Sequence, residues 1–565
     1  MNYRLILSRA RLLGLLGFAA LFLVACGGGQ QSVKANSAPP SNSTGQVASA
    51  TTAPKVSFYA ASRFAEQTSF GPTPTLIAEL QAKGFEKWID DQFVLQPSRL
   101  FEAKVAEAAP GSMPEKNAYV RHQFGTYAMT APDQLRLRLT WSLSQFLVVR
   151  GSNTGMVTWF NLLQDNAFGN YGALLKAISI DPTMGDYLDN VENRPKSASC
   201  PTCAPNENYA RELMQLFSLG VVDLNDGGTP VLDSRGRLKE TYTQADVENL
   251  ARALTGWQYD IRPVSTGAEW FELRYSRSML PSTIPGERDS GSKRVLGRVF
   301  PAGQSHEKEL DDVIAMLMAH PNIAPFVSLR LIQHLVTSNP SPAYMQRVVA
   351  RFRNNGNGVA GDMKALVKAV LLDEEARRGD DPGAPDAGVG KYREPYLWYW
   401  AFFRAVGCQR SLYTPRTDGQ DPYWMLTQNP FGQSSVFGYY QATDRSPGSN
   451  LLAPEQKLVT AEEMRQRMGQ LNWLRSYAGQ DGIRDTQMYE RAGCDLGPLV
   501  AAYQTSGRAF ADHLNTRYFR GAMPPSLRRT LETKARQSSL PADPTEAALM
   551  LLGFALSSPF FAVVL

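Results

Sequence analysis

Apolar side chains recur at helical spacing along most of the chain from Val56 onward. Leucine and phenylalanine return every three or four residues between Asp133 and Gly151, and four similar segments follow one another between residues 307 and 377. A period near 3.6 residues predicts amphipathic helices. Strand-like alternation is rare, and the mixed aromatic and polar stretch from Trp257 to Tyr275 is the best place for a hairpin. The predicted fold is mainly α: a large multi-helix globular ectodomain with at most a small β-hairpin.

The segment from Asn206 to Gly220 predicts the best-defined helix, and we expect the fold to be built around it. Asn206 suits the N-cap, and Gly220 suits the left-handed residue that closes a helix. One face is apolar and consists of Tyr209, Leu213, Leu216 and Phe217. Downstream, Thr243 and Asp246 predict a capping box at the start of another helix.

Composition divides the chain into four parts. Residues 1–25 are predicted to be a lipoprotein signal peptide, and residues 26–55, rich in Gly, Ser, Ala and Thr, a disordered tether. Residues 56–378 form the predicted main helical domain. Residues 391–565 form a predicted C-terminal helical part that packs on it. The boundary between them is the stretch from Gly379 to Gly390, which is acidic and rich in Gly, Pro and Ala.

The N-terminal segment predicts a lipid anchor. Basic residues precede an apolar run over residues 12–24 that is too short for a stable membrane span. The run ends in Leu23-Val24-Ala25-Cys26, which resembles a bacterial lipobox. That resemblance implies cleavage before Cys26, a diacylglycerol on its thiol, and acylation of its new amino group. Gly27 stands where an Asp would favour inner-membrane retention, so we expect a bacterial envelope location at the outer membrane.

The charge balance gives no reason to expect nucleic acid as a partner. The chain has 58 basic and 53 acidic residues, a net charge of +5, but three of the arginines lie in the N-terminal segment. Without them 55 basic residues face 53 acidic ones. A nearly neutral protein lacks the electrostatic footprint of a nucleic-acid-binding protein.

Four cysteines remain besides Cys26. Cys200 and Cys203 form a CxxC motif in a polar loop, where a disulfide that closes the loop is favoured over redox chemistry or free thiols. Zinc would need two further ligands that no neighbouring motif supplies. Cys408 and Cys494 are a second candidate pair that the sequence does not decide.

Several motifs together resemble a known family. The motifs are the Asn206–Gly220 segment, the Thr243–Trp257 segment, His320-Pro321-Asn322, Ser69-Phe70-Gly71-Pro72-Thr73, Ser338-Asn339-Pro340-Ser341-Pro342, Arg393-Glu394-Pro395, Ser435-Val436-Phe437-Gly438-Tyr439-Tyr440 and Ala453-Pro454-Glu455. The chain resembles, from about Ala60 to the C-terminus, the bacterial family catalogued as domain of unknown function 1800. The resemblance implies an exported protein, often encoded beside another exported family that looks related to sulfatases and phosphatases. It implies no reaction, cofactor or catalytic residue.

The first candidate site comprises Glu207, Arg211, Glu212 and Asp246. Glu207 and Arg211 are four residues apart on one helix, which suits a surface ion pair. The structural interpretation is pairing and capping. In the functional interpretation, Glu212 or Glu207 acts as a general acid or base whose pKa is set by Arg211 and by burial.

The second candidate site comprises Arg330 and His334. Helical phasing places both on the inward stripe of Ile323 and Val327. Two buried basic groups need an acceptor, and Glu212 or Asp246 would serve. The alternatives are a satisfied core network and an anion or carboxylate site in which His334 carries a proton.

Two classes of function stay open. No familiar catalytic or nucleotide-binding fingerprint is present, and neither a cofactor nor a metal is predicted. This favours a membrane-anchored envelope protein that assists the assembly or binding of extracellular or wall material with an exported partner. The alternative is an envelope hydrolase that uses the carboxylate, Arg and His residues of the two candidate sites.

Overall fold

Helices make up most of the computed structural model. It describes residues 56–100, 113–150, 155–198, 200–262, 274–381, 390–409, 427–430, 432–467 and 493–564. The predicted signal peptide, Cys26 and the whole of the predicted tether lie outside the described residues. The described residues belong to one compact unit.

The mainly α fold class is confirmed. The helices of the N-terminal half are α1 (Phe58–Thr68), α2 (Pro74–Lys83), α3 (Phe85–Val94), α4 (Met113–Thr130), α5 (Gln134–Phe146), α6 (Gly155–Asn166), α7 (Tyr171–Ser179), α8 (Pro182–Tyr187), α9 (Asn208–Gln215) and α10 (Gln244–Ala253). Those of the C-terminal half are α11 (His306–Ala319), α12 (Ile323–Leu335), α13 (Pro342–Arg353), α14 (Met363–Leu372), α15 (Glu374–Arg377), α16 (Pro395–Val406), α17 (Gly497–Thr505), α18 (Gly507–Tyr518), α19 (Pro525–Lys534) and α20 (Pro544–Leu556).

The described strands form three small antiparallel pairs. They are β1 (Trp257–Gln258) with β2 (Leu280–Pro281), β3 (Lys293–Val295) with β4 (Arg298–Phe300), and β5 (Lys391–Tyr392) with β6 (Val563–Val564). The hairpin was expected within residues 257–275, of which residues 263–273 lie outside the described part of the chain. Strand β1 lies in that range, but its partner β2 follows it. The β3–β4 hairpin lies in the segment 276–303, which the sequence pattern predicts to be a loop.

Helix α5, rather than the Asn206 segment, occupies the middle of the fold. Every residue of α5 is buried, and the helix packs against α1, α3, α4, α6 and α12. Two arginines in it are compatible with burial because backbone carbonyl groups accept their hydrogen bonds. Arg136 donates to Gln164 and Leu95, and Arg138 donates to His334. The expectation of a fold built around α9 was wrong, since α9 buries only one of its faces.

Local signals set the start of α10 as expected, but the ends of α9 only in part. Helix α9 begins at Asn208, so the prediction of Asn206 as the N-cap was wrong, and Glu207 occupies that position. Asn206 Oδ1 nevertheless accepts a hydrogen bond from the amide of Asn208 at 2.9 Å. The helix ends earlier than expected, but Gly220 does adopt the left-handed conformation, with φ of 75°. A Cβ on Gly220 would lie 2.8 Å from the ring of Phe326, so the close approach of α12 also requires glycine here.

Most of the predicted internal boundary, Gly379 to Gly390, lies outside the described part of the chain, since residues 382–389 are not described. Residues on either side of it are joined by buried ion pairs. Glu66 on α1 accepts hydrogen bonds from both Arg393 and Arg520, and all three side chains are buried. The division into residues 56–378 and 391–565 stays a prediction.

Candidate functional site

Glu207 and Arg211 form a surface pair at the start of α9. Their side chains lie 2.7 Å apart, and each is about one third exposed. Gln244 on α10 completes the group, because its amide donates to Glu207 at 2.8 Å and accepts from Arg211 at 3.1 Å. These contacts hold the beginnings of α9 and α10 together. Their arrangement matches the structural interpretation of this part of the first candidate site.

Asp246 caps its own helix. Its Oδ2 accepts from the amide and hydroxyl of Thr243, and its Oδ1 accepts from the amide of Leu296 at 2.7 Å. Burial raises the pKa of Asp246, but these hydrogen bonds from Thr243 and Leu296 outweigh it and lower the pKa below the usual value. The carboxylate therefore acts as the predicted capping box and also anchors the turn between β3 and β4.

Glu212 is the chemically distinctive carboxylate of this group. It is buried, and its Oε2 has no hydrogen-bond partner among the described residues. Burial raises its pKa, and the charge of Arg211 lowers it by less. The side chain lies close enough to Tyr242 to help raise the pKa of that phenol to about 12, after the larger effect of burial. A carboxyl group in this setting favours the protonated form more than a surface glutamate does.

Arg330 and His334 lie one turn apart on α12, as the helical phasing predicts. The guanidinium group of Arg330 lies 4.9 Å from the centre of the Phe326 ring and donates to Gln333 Oε1 at 3.1 Å. Burial lowers the pKa of Arg330 to about 10. Neither Glu212 nor Asp246, the expected acceptors, is bonded to Arg330 in the described part of the chain.

The ring of His334 is packed between aromatic side chains. It stacks on Phe146 at 5.8 Å and lies 6.3 Å from the ring of Tyr440. Burial, followed by the positive charges of Lys391, Arg138 and Arg330, holds its pKa well below the usual value. His334 is therefore a neutral imidazole at neutral pH.

A buried ionic network lies beside His334, and sequence reasoning did not identify it as a site. Lys391 Nζ lies 2.7 Å from Glu455 and donates to the carbonyl oxygens of Gln333 and His334. Glu394 accepts hydrogen bonds from Trp141, Gln428 and Tyr440. Burial, and then Glu394 and Glu455, raise the pKa of Tyr440 well above its usual value.

The signal for this network was present in the sequence motifs. Glu394, Tyr440 and Glu455 each belong to one of the segments that carry the family resemblance. Those segments are far apart in sequence, and only the tertiary structure brings them to one place. Spacing alone therefore could not show that they meet.

No described hydrogen bond, ion pair or electrostatic interaction joins the α9 group to Arg330 and His334. The α9 group interacts with α10 and with the β3–β4 turn. The α12 pair interacts with Phe146 and with the network around Lys391. The two candidate sites are thus separate sets of contacts, rather than one constellation of acids and bases.

The cysteine residues form two disulfides in the structure. Cys200 bonds to Cys203, and Cys408 bonds to Cys494. The first closes the polar loop ahead of α9. The second joins the end of α16 to the residues that precede α17.

Two further observations concern metal ligands and cavities among the described residues. Within them, no group of three or more His, Cys, Asp or Glu side chains is arranged to hold a metal ion. A cavity of about 270 Å³ lies near the C-terminus, with Phe519, Pro524, Pro559 and Phe560 in its wall. None of the candidate residues lines this cavity.

Membrane-spanning potential is also limited in the described helices. No single one is long and apolar enough to cross a bilayer. Helices α11 and α12 reach the required length and hydropathy only when taken together, and they are bent by 75° relative to each other.

Fold and site define the class: a mainly helical protein with a paired surface group, a buried ionic network and an adjoining Arg–His pair. The chain belongs to the family described as protein of unknown function (DUF1800), which matches residues 63–563. The resemblance inferred from the sequence motifs is confirmed. No curated protein and no solved structure shows significant similarity to the chain.

Proposed function

We propose that the chain is a lipid-anchored protein of the bacterial envelope that binds an exported partner and assists the assembly or binding of extracellular or wall material. The anchor is the diacylglyceryl group expected on Cys26, and the outer membrane is the expected location. Several acyl chains, at about 0.8 kcal/mol for each buried CH₂, make such attachment effectively stable.

Binding is favoured over catalysis because two of the candidate carboxylates are already bonded to other groups of the protein. Glu207 is paired with Arg211 and Gln244, and both oxygens of Asp246 accept hydrogen bonds from the protein. A general base must be within reach of a substrate proton, and a carboxylate engaged by its own helix lacks that freedom. Two of the three carboxylates of the first candidate site are thus structural.

The experiment has two arms. In the first, cells produce the full chain or its Cys26→Ser variant, and membrane and soluble fractions are compared. We expect the wild-type chain in the membrane fraction and the variant in the soluble envelope fraction. Equal partition of the two would contradict the anchor.

In the second arm, the wild-type chain is purified from membranes after crosslinking in cells, with Glu212→Gln as a parallel preparation. We expect one exported protein to be recovered with both. Purification through that protein should in turn recover this chain. Failure in the reciprocal direction would remove the partner from the proposal.

A second candidate function is an envelope hydrolase, and Glu212 favours it. A buried carboxyl group with a raised pKa and an unpartnered oxygen has the properties of a general acid. On this alternative, Glu212→Gln abolishes hydrolysis of ester substrates by the purified full chain. Glu207→Gln, which removes a surface pair, leaves such hydrolysis unchanged. Hydrolysis that is absent, or equal in all three proteins, would eliminate this alternative.

A further inference from the structure

Arg330 is a half-buried cation that lacks a carboxylate partner among the described residues. Of its five N–H groups, only one makes a described hydrogen bond, to Gln333 Oε1. The ring of Phe326 covers one face of the guanidinium group. Burying a cation without an anion is costly, and charged side chains in protein interiors are normally paired. The remaining donors of Arg330 are therefore available to a ligand.

His334 has unused hydrogen-bonding capacity in the same place. Its side chain is only 7% exposed, yet neither ring nitrogen has a hydrogen-bond partner among the described residues. Phe146 and Tyr440 hold the ring in position. Residues four apart on a helix lie about 5–6 Å apart at their Cβ atoms, so Arg330 and His334 share one face of α12. The charge of Arg330 is close enough to help lower the pKa of His334.

Charged side chains of both signs surround this pair. Lys391 and Arg138 both donate to the carbonyl oxygen of His334, which directs their positive charges toward the end of α12. Glu394 and Glu455 are the carboxylates of the neighbouring network. Together with Arg330, Lys391 and Arg138 make three cations beside two anions, so the whole group has an excess of one positive charge.

We propose that Arg330 and His334 bind one singly charged oxyanion, either a carboxylate or a phosphodiester group. The guanidinium fork matches two oxygens of such a group, and the neutral imidazole adds one N–H donor. A single negative charge balances the one excess positive charge of the group formed by Arg330, Lys391, Arg138, Glu394 and Glu455. The inference rests on the proposed function only for the source of the ligand, which would be envelope material.

Free anions test the site directly. The full chain, purified in detergent, is titrated with sodium acetate or with sodium dimethyl phosphate. Sodium chloride at equal ionic strength is the reference. A ligand that binds only the folded state raises the melting temperature in a saturable way. We expect saturation with at least one of the two oxyanions and none with chloride. The anion that saturates at the lower concentration identifies the source chemistry.

Arg330→Gln should weaken this binding at least about tenfold. His334→Gln should weaken it as well. Arg298→Gln is the matched control, because Arg298 also lies over a phenylalanine ring but is paired with Asp312. It should bind like the wild type. Equal responses from all the variants would overturn the proposal.

A spectroscopic readout covers the case in which Arg330→Gln fails to fold. The chain has five histidines, so histidine-selective isotope labelling yields five ring signals. Acetate or dimethyl phosphate should shift the signal of His334 and leave the other four unchanged. In Arg330→Lys, which keeps the charge but loses the planar fork, the shift should need a higher anion concentration. No shift, or a shift of all five signals, would also overturn the site.

The anion-binding test and the test of the proposed function can fail independently of each other. Saturable anion binding together with failed reciprocal purification would keep the site and remove the partner. A recovered partner with no anion binding would do the opposite.

Discussion

The ammonium group of Lys391 lies 2.7 Å from Oε1 of Glu455, and both side chains are almost completely buried. Lys391 also donates to the last turn of α12 through the carbonyl groups of Gln333 and His334. This single lysine therefore connects α12, the β5–β6 pair and the short 3₁₀ helix Pro454–Leu458.

Removal of one member of this pair should destabilise the protein strongly. Glu455→Gln leaves the Lys391 charge buried without its counterion, which costs about 3–5 kcal/mol. The matched control is Asp226→Asn, because Asp226 pairs with Arg353 where both side chains are nearly half exposed. That change should cost less than about 1 kcal/mol. Urea unfolding of the three proteins measures the difference, and equal losses would contradict the role of burial.

The two carboxylates of the α9–α10 region should differ in their structural contribution. Asp246→Ala removes a capping box and the acceptor for the Leu296 amide, so we expect a loss of about 1–2 kcal/mol in the free energy of unfolding. Glu207→Gln removes only a surface pair and should cost no more than about 0.5 kcal/mol. Thermal or urea unfolding distinguishes the two. A larger loss from Glu207→Gln would contradict the assignment of Asp246 as the structural residue.

The sequence pattern correctly predicted features that depend only on residues close together along the chain. The capping box of Thr243 and Asp246 follows from two side chains three positions apart. The left-handed conformation of Gly220 follows from its lack of a Cβ atom. The inward phasing of Arg330 and His334 follows from helical periodicity in the same way. These features depend on helix geometry, which a sequence pattern expresses directly.

Tertiary pairing was not predictable in this way. The expected acceptor Asp246 is occupied by Thr243 and Leu296, and the latter lies 50 positions further along the chain. Periodicity also did not identify α5 as the central helix. Its arginines suggest a polar face, whereas distant backbone carbonyl groups accept their hydrogen bonds inside the core. Long-range partners of this kind leave no local signal.

Two histidines should make the protein less stable as the pH falls. Burial, and then the charge of Arg288, lower the pKa of His306 to about 4, and the pKa of His334 is also well below its usual value. Between these values and about 6.5 the unfolded chain binds more protons, so the free energy of unfolding decreases with acidification. His306→Gln should reduce the loss between pH 7.5 and pH 5 by about 1–3 kcal/mol. An unchanged loss, measured by urea unfolding, would contradict this.

Asp181 should produce the opposite pH dependence. It caps α8 and is buried, and burial raises its pKa to about 7, although the amides of Met184 and Thr183 lower it. Between about 3.9 and 7 the folded state binds more protons than the unfolded chain, so this contribution to stability is present at low pH and lost as the pH rises. Asp181→Asn keeps an oxygen for both amides and carries no charge. Its stability relative to the wild type should therefore rise by about 1 kcal/mol or more from pH 5 to pH 8.

Asp543 is the matched control, since it also precedes a proline and caps α20 through two amides, but it is exposed. Asp543→Asn should show no comparable change in urea unfolding, and the same response from both variants would exclude burial as the cause.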